Sequence, residues 1–296
     1  MNPNQGESLP RLPALGLRRR RLTLVLRFLL FQIVFSNRRP LWRCSRRCAL
    51  SIVWRTHSTS YNGLQAKLDR RFTGGLSITT AYTFAKGMGF QRGDDGGLNY
   101  YINLHRNYAR NDYDRTHTFV QSYLWELPFG EGRRWMSSAN RGVTMALGGW
   151  QVAGILTLMT GIPMDITYTA ANLLAPGNMQ SPDQVAPVQI LHGINNGNPW
   201  FSTSSFVAPT GLNFGTVGRN SVSGPGFFSM DCSLFKTFRV TERVHVELRG
   251  EAFNVSNTPQ FSNPNSTLGN SSFGFVTGIV GGTSGRNLQL GGKLMF

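Results

Sequence analysis

Residues 75–86, GLSITTAYTFAK, alternate with a period of two. Leu76, Ile78, Thr80, Tyr82 and Phe84 share one face, and Ser77, Thr79, Ala81, Thr83 and Ala85 share the other. Successive side chains of an extended strand point to opposite faces, so this stretch is a strand with one apolar and one small, polar side. RVHVELRGEAFN, 243–254, repeats the pattern with an ionic face: Val244, Val246, Leu248 and Ala252 alternate with Arg243, His245, Glu247, Arg249 and Glu251. Similar strands are read at 61–72, 116–127, 149–160, 227–239 and 286–296. Each runs to about ten residues or more, where strands of soluble sheets average about five or six. A tilted strand crossing a bilayer needs about 9–11. The polar face of such a strand meets either water around a sandwich or the lumen of a membrane barrel.

Aromatic residues recur near the strand ends: Tyr82 and Phe84, Tyr123 and Trp125, Trp150, Phe227 and Phe228. Amphipathic rings prefer the headgroup level of a membrane, which is where girdles of a transmembrane barrel sit. The linkers differ in length. Segments 126–134 and 236–244 read as tight turns, whereas 87–114 and 169–226 are long and rich in Gly, Asn, Pro and Asp. Short turns on one side and long loops on the other are the habit of outer-membrane barrels. Composition agrees: 34 glycines and only 15% charged residues disfavour both a helical protein and a charged disordered chain.

The net charge of +16 is not evenly spread. Residues 1–60 hold twelve arginines, no lysine and a single acid, Glu7, for a net +11; the rest of the chain carries only +5. Any argument from charge to a partner therefore concerns the N-terminal segment alone. Residues 1–59 lack both periodicity and turn chemistry. They are expected to be a disordered basic arm, or the product of a frameshift or mistaken start, with an interfacial helix as a further reading. LTLVLRFLLFQIVF (22–35) is broken by Arg27 and Gln32 and is too short for a membrane-spanning helix, which needs about 20 residues. It resembles the core of a signal peptide, but no small-residue cleavage site follows. Three cysteines, Cys44, Cys48 and Cys232, make no disulfide framework and no four-ligand zinc site.

The chain ends on RNLQLGGKLMF, with Leu288, Leu290, Leu294 and Phe296 on one face and Asn287, Gln289, Gly291 and Lys293 on the other. A terminal aromatic in register with an apolar strand face is similar to the insertion signal of outer-membrane β-barrels. Several segments extend the likeness: SYNGLQAKLDRRFTGGLSITTAYTFAK (60–86), NYARNDYDRTHTFVQSYLWELPFGEGRR (107–134), GGWQVAGILTLMTGIPMDI (148–166), NPWFSTSSFVAP (198–209), FGTVGRNSVSGPGFFSMDCSLFKTF (214–238) and ELRGEAFNVSNTPQFSNP (247–264). Together they resemble the C-terminal barrel region of Oar-like TonB-dependent receptors, the kind that carries a carboxypeptidase-regulatory-like domain. The resemblance covers 60–296 and stops short of 1–59.

This resemblance implies an all-β, antiparallel transmembrane β-barrel in the outer membrane of a Gram-negative-type bacterium. The family's barrel has 22 strands and a plug, and imports a substrate with energy passed on by the TonB complex. Residues 60–296 supply about ten strands, a partial barrel without a plug or TonB box, so transport by this chain alone is not expected. The implied partners are outer-membrane lipids, the barrel-assembly machinery and, for an intact receptor, TonB; the transported substrate is unknown.

Lumen-facing positions on this reading are Arg243, His245, Glu247, Arg249 and Glu251, suited to pairing between strands. Asp112, Asp114 and His117 in NDYDRTH could be drawn as a metal site, but turn chemistry, with Arg115 pairing an acid, is the favoured reading. Asp94 and Asp95 read as an exposed turn. No nucleophile elbow, P-loop or dinucleotide spacing occurs, so no enzyme, cofactor or metal site is expected. Two alternatives stand beside the barrel: a soluble or surface β-sandwich of the adhesin type, and nucleic-acid binding through the Arg-rich N-terminus, which would be salt-dependent.

Overall fold

The computed structural model describes residues 23–27 and 59–296, apart from 91–97, 131–132, 139, 170–172, 174–178, 195–196, 242 and 282–284. The seven alternating segments all form strands. With a short strand before them they are β1 (Thr23–Arg27), β2 (Ser60–Thr73), β3 (Leu76–Gly89), β4 (His117–Glu126), β5 (Trp150–Met159), β6 (Phe227–Arg239), β7 (His245–Phe253) and β8 (Asn287–Met295). They lie side by side in chain order, each antiparallel to the next, and the two-residue strand Ala109–Arg110 extends the end of β3. Such a meander needs no crossover, since every strand pairs with its neighbour in sequence. β1 forms one edge, from Thr23 opposite Asp69 to Arg27 opposite Gln65.

The two ends of the sheet differ. At one end β2 turns into β3 through Gly74 and Gly75, both at positive φ (67° and 81°), as a two-residue hairpin of this twist requires. β6 and β7 are also joined closely there, through residues 240–244. The third connection at this end is longer than the tight turn expected at 126–134. The turn forms, with the Arg133 amide donating to Gly130 O at 3.1 Å, but the chain then runs on through helix α1 (Arg141–Leu147) before β5. Asn140 caps that helix by accepting from the Val143 amide at 2.9 Å.

The opposite end carries the long connections 90–116, 160–226 and 254–286. These absorb the length that would otherwise make further strands. Among the described residues the main sheet has nine strands, two of them very short; eight lie within 60–296, against the ten or so expected there. It is also open: among the described residues β8 pairs only with β7, and no strand joins it to β1. The architecture is an all-β, antiparallel partial barrel.

The apolar core lies in the loops and not on the sheet. Met164, Ile166, Trp200, Phe201, Phe206, Val217, Val222, Phe273 and Val276 bury one another across the second and third long connections. Phe201, Phe206 and Phe273 meet edge to face, with centroids 5.4 to 6.0 Å apart. Short bridges tie the loops: Val222–Ser223 to Pro163–Met164, Phe206–Val207 to Asp183–Gln184, and Thr267–Leu268 to Thr167–Tyr168. The long loops thus form a packed cap with its own core. The strands, by contrast, leave both faces largely uncovered, as a wall between two surroundings must.

Candidate functional site

The pairing register sorts every strand side chain onto one of two faces. Leu68, Thr80, Gln121, Leu156 and Met230 stand in one row, and Ile78, Tyr123, Gly154, Cys232, Ala252 and Leu288 in the next. A third row on the same side holds Leu76, Trp125, Val152, Leu234, Gly250 and Leu290. One side of the sheet is therefore predominantly apolar from β2 to β8, with polar exceptions such as Arg70 opposite Ile78 and Gln121 beside Leu156. Aromatics mark both of its margins: Tyr82, Phe84, Phe119 and Phe228 toward the cap, Trp125, Trp150 and Phe238 toward the turns. Phe227, grouped with Phe228 in the sequence, lands on the opposite face because it is one residue away. No helix among the described residues is long and apolar enough to cross a membrane, which leaves strand crossing open.

Within the apolar face Tyr123 lies over Gly154. A Cβ at Gly154 would come 2.6 Å from Tyr123 Oη and 2.6 Å from Asp231 O. The missing side chain lets the ring cross to the neighbouring strand, where its hydroxyl reaches Cys232 Sγ at 3.9 Å. On β8, Leu288, Leu290 and Leu294 all point to the apolar side and are 75, 89 and 60% exposed; Phe296, just past the strand, is 98% exposed.

The other face is polar. Arg249 sits 3.0 Å from Glu247 and 3.5 Å from Glu251, with its guanidinium 4.8 Å above the Phe235 ring. His245 shares this face at the start of β7, while Arg243 lies in the preceding turn and not on the strand. Lys67 and Asp69 pair at 3.0 Å on β2, where Thr79 also donates to Asp69 at 2.8 Å. The ion pairs on this face run along single strands, in place of the pairing between strands that was expected, because i and i+2 neighbours of one strand share a face. Being partly exposed, such pairs are worth little in stability, about 0–1 kcal/mol each.

The cap contains the most developed polar site. A cleft of about 270 Å³ is lined by Asp112, Asp165, Asn220, Thr167, Asn263 and Ser266 among others. Asn220, at φ 52°, donates its backbone amide to Asp165 at 2.7 Å and its side-chain amide to Asp112 at 2.6 Å. Arg219 is 3.5 Å from Asp112 and donates to Gly89 O at 3.0 Å, tying the second long loop to the end of β3. Asn99 donates to the other oxygen of Asp165 at 2.8 Å. Both carboxylates of the cleft are therefore engaged from within the protein. Asn107, fully buried, accepts from the Asn99 and Tyr100 amides at 2.9 and 3.0 Å and donates to Tyr100 O and Leu104 O.

Asp112, Asp114 and His117, close in sequence, are drawn to different partners. Asp114 binds Arg110 at 3.0 Å and the Gly87 amide at 2.8 Å, and His117 bonds the Tyr82 hydroxyl at 2.8 Å. The expected pairing of Arg115 with an acid is corrected: Arg115 donates to Thr160 O at 2.7 Å, and Arg110 is the acid's partner, because the bend at 111–114 turns Asp114 back toward it. Among the described residues no three metal-ligating side chains converge. Asp94, Asp95, Cys44 and Cys48 lie outside the described residues. Sequence reasoning missed Asn107, Arg219 and Asn220 as site residues. Their partners are remote in the chain, so no local period announces them.

A family model described as an outer membrane beta barrel domain matches residues 35–289. That span includes β2 to β7, the cap and the start of β8. No curated protein and no solved structure was found to match.

Proposed function

The chain belongs to the outer membrane beta barrel domain family and is an outer-membrane protein, and we propose that it forms part of the wall of a TonB-dependent receptor of the Oar-like kind. The observation that carries this reading is the pairing of one predominantly apolar face with a packed cap of long loops at one end. In an outer-membrane barrel the apolar face meets lipid, the opposite face lines the lumen, and long loops face outward. The cap then stands where an external solute arrives, and the Glu247–Arg249–Glu251 line stands inside, where a plug would be accommodated. The segments similar to Oar-like receptors cover the wall and the cap in order, which favours this family over other barrels.

On this reading the intact receptor imports a substrate using energy from TonB. The present chain, whose sheet has two open edges among the described residues, does not transport by itself, because lipid tolerates no unpaired strand edge. It works as wall and binding surface, not as a catalyst, and nucleic acid is not its partner; lipids and the barrel-assembly machinery are. The test is to sequence the DNA upstream of the Ser60 codon and translate it in all three frames. A frame that continues the barrel pattern toward a plug and a TonB box is the expected result, and the absence of one removes the TonB-dependent reading. Orientation is checked on intact cells with an impermeant maleimide: Leu212→Cys in the cap is expected to label, and Thr241→Cys between β6 and β7 only after permeabilisation.

A further inference from the structure

We propose that α1 and the turn before it form an interfacial anchor, embedded from outside the wall in the headgroup layer of the periplasmic leaflet. This rests on the outer-membrane reading of the apolar face. Register places Lys236 and Trp150 opposite each other on that face. Both reach the C-terminal end of α1: Trp150 Nε1 donates to Ala146 O at 3.1 Å, and Lys236 Nζ donates to Ala146 O at 3.2 Å and to Gly148 O. The helix therefore ends against the lipid side of the wall, not under the lumen. Lys236, the cation that this fixes, is 2% exposed and lies 5.2 and 5.1 Å from the Trp150 and Phe238 rings, at the aromatic margin.

From Gly142 on, what α1 shows to its surroundings is apolar. Met145 is 53% and Leu147 48% exposed, and from Gly142 to Trp150 there is no charged residue. A helix bathed in water presents a polar outer face; this one presents Met145, Ala146 and Gly142. The preceding turn packs beside it. Gly130 comes so near Gly148 that a Cβ would lie 3.0 Å from its Cα, and the turn holds out Trp135 (49% exposed) and Met136 (37%). Arg134 and Arg141 flank these apolar residues in the chain, while Arg133 pairs with Glu126 at 2.9 Å. Apolar side chains between basic ones are the composition of segments that lie in a membrane interface, cations toward phosphate and apolar groups toward the acyl boundary. The occupant of this surface is a phospholipid leaflet, because the surface is continuous with the lipid-facing wall.

Nitroxide accessibility tests it on the full chain reconstituted in vesicles of phosphatidylethanolamine and phosphatidylglycerol, with Cys44, Cys48 and Cys232 replaced by serine. Single labels at Met145→Cys and Leu147→Cys are compared with Leu156→Cys in the middle of the apolar face and Leu212→Cys in the cap. Expected is an oxygen-to-nickel-chelate collision ratio at Met145 and Leu147 between those of Leu156 and Leu212, and several-fold above that of Leu212. Should Leu156 read as lipid while Met145 matches Leu212, the wall stands and the anchor is overturned. Shielding of Met145 from both reagents would overturn it too, in favour of a protein partner. An aqueous reading at Leu156 would remove the wall's placement, and the anchor with it.

Discussion

At Gly154 the apolar face depends on a missing side chain. The Tyr123 ring occupies the space, and the backbone oxygen of Asp231 closes it from the next strand. Gly154→Ala is expected to cost about 1–3 kcal/mol, the usual penalty of overpacking. In a Tyr123→Leu background the same change is expected to cost less, since one of the two obstructing groups is gone; chemical denaturation of the four variants in a double-mutant cycle measures the difference. Equal costs in both backgrounds would mean that Tyr123 does not fill the site. Asn107 is the corresponding residue of the cap, its amide using both donors and its oxygen bonding twice. Asn107→Leu leaves the Asn99 and Tyr100 amides without their acceptor, at roughly 1–3 kcal/mol of desolvation each. Faster amide exchange at 98–107, with β4 and β5 unchanged, is the expected readout.

Elements divide according to the surroundings they separate. β8 reads its two faces to different media, and adjacent residues should respond differently to the same charge. Leu290 lies on the apolar face near mid-strand and Gln289 on the other. Arginine on a lipid face costs about 2–4 kcal/mol near the membrane midplane, whereas lumen positions accept it. Leu290→Arg is therefore expected to lower the membrane-inserted fraction strongly and Gln289→Arg hardly at all, measured as urea-resistant protein in outer-membrane fractions. The strands themselves were legible in the sequence, because alternation is local: Leu76 to Ala85 sort into their faces without knowledge of any partner. The connection from β4 to β5 was not. Its first turn was read at 126–134, but α1 gains its place from Lys236 and Trp150, of which Lys236 comes some ninety residues later.

The molecule as a whole is a wall with two edges. Among the described residues, β1 and β8 each pair with a strand on one side only. Exposed edges template pairing with further strands, and lipid makes leaving them open costly. The chain purified alone in detergent is therefore expected to run in light scattering as assemblies larger than its 32.9 kDa. A stable monomer would mean that the edges are satisfied by the chain itself. The cap is built for the opposite condition, an aqueous end. Its core is closed by contacts such as Arg106 to Gly215 O at 2.8 Å and the Tyr100 hydroxyl to Ser181 at 2.7 Å.

By itself the sequence determined the strands, their faces and the long and short connections other than that from β4 to β5. These follow from a two-residue period, strand length and turn chemistry, all properties of neighbouring residues. It also carried the ionic alternation of Glu247, Arg249 and Glu251, on a strand that begins at His245, two residues after Arg243. Only the tertiary structure decided that the sheet stays open, that the long loops share a core, and that Arg219 and Asn220 hold Asp112. The same is true of Lys236 and the end of α1. Each of these joins residues far apart in the chain through packing and hydrogen bonding that have no period, so their geometry exists only once the strands have brought the loops to one end.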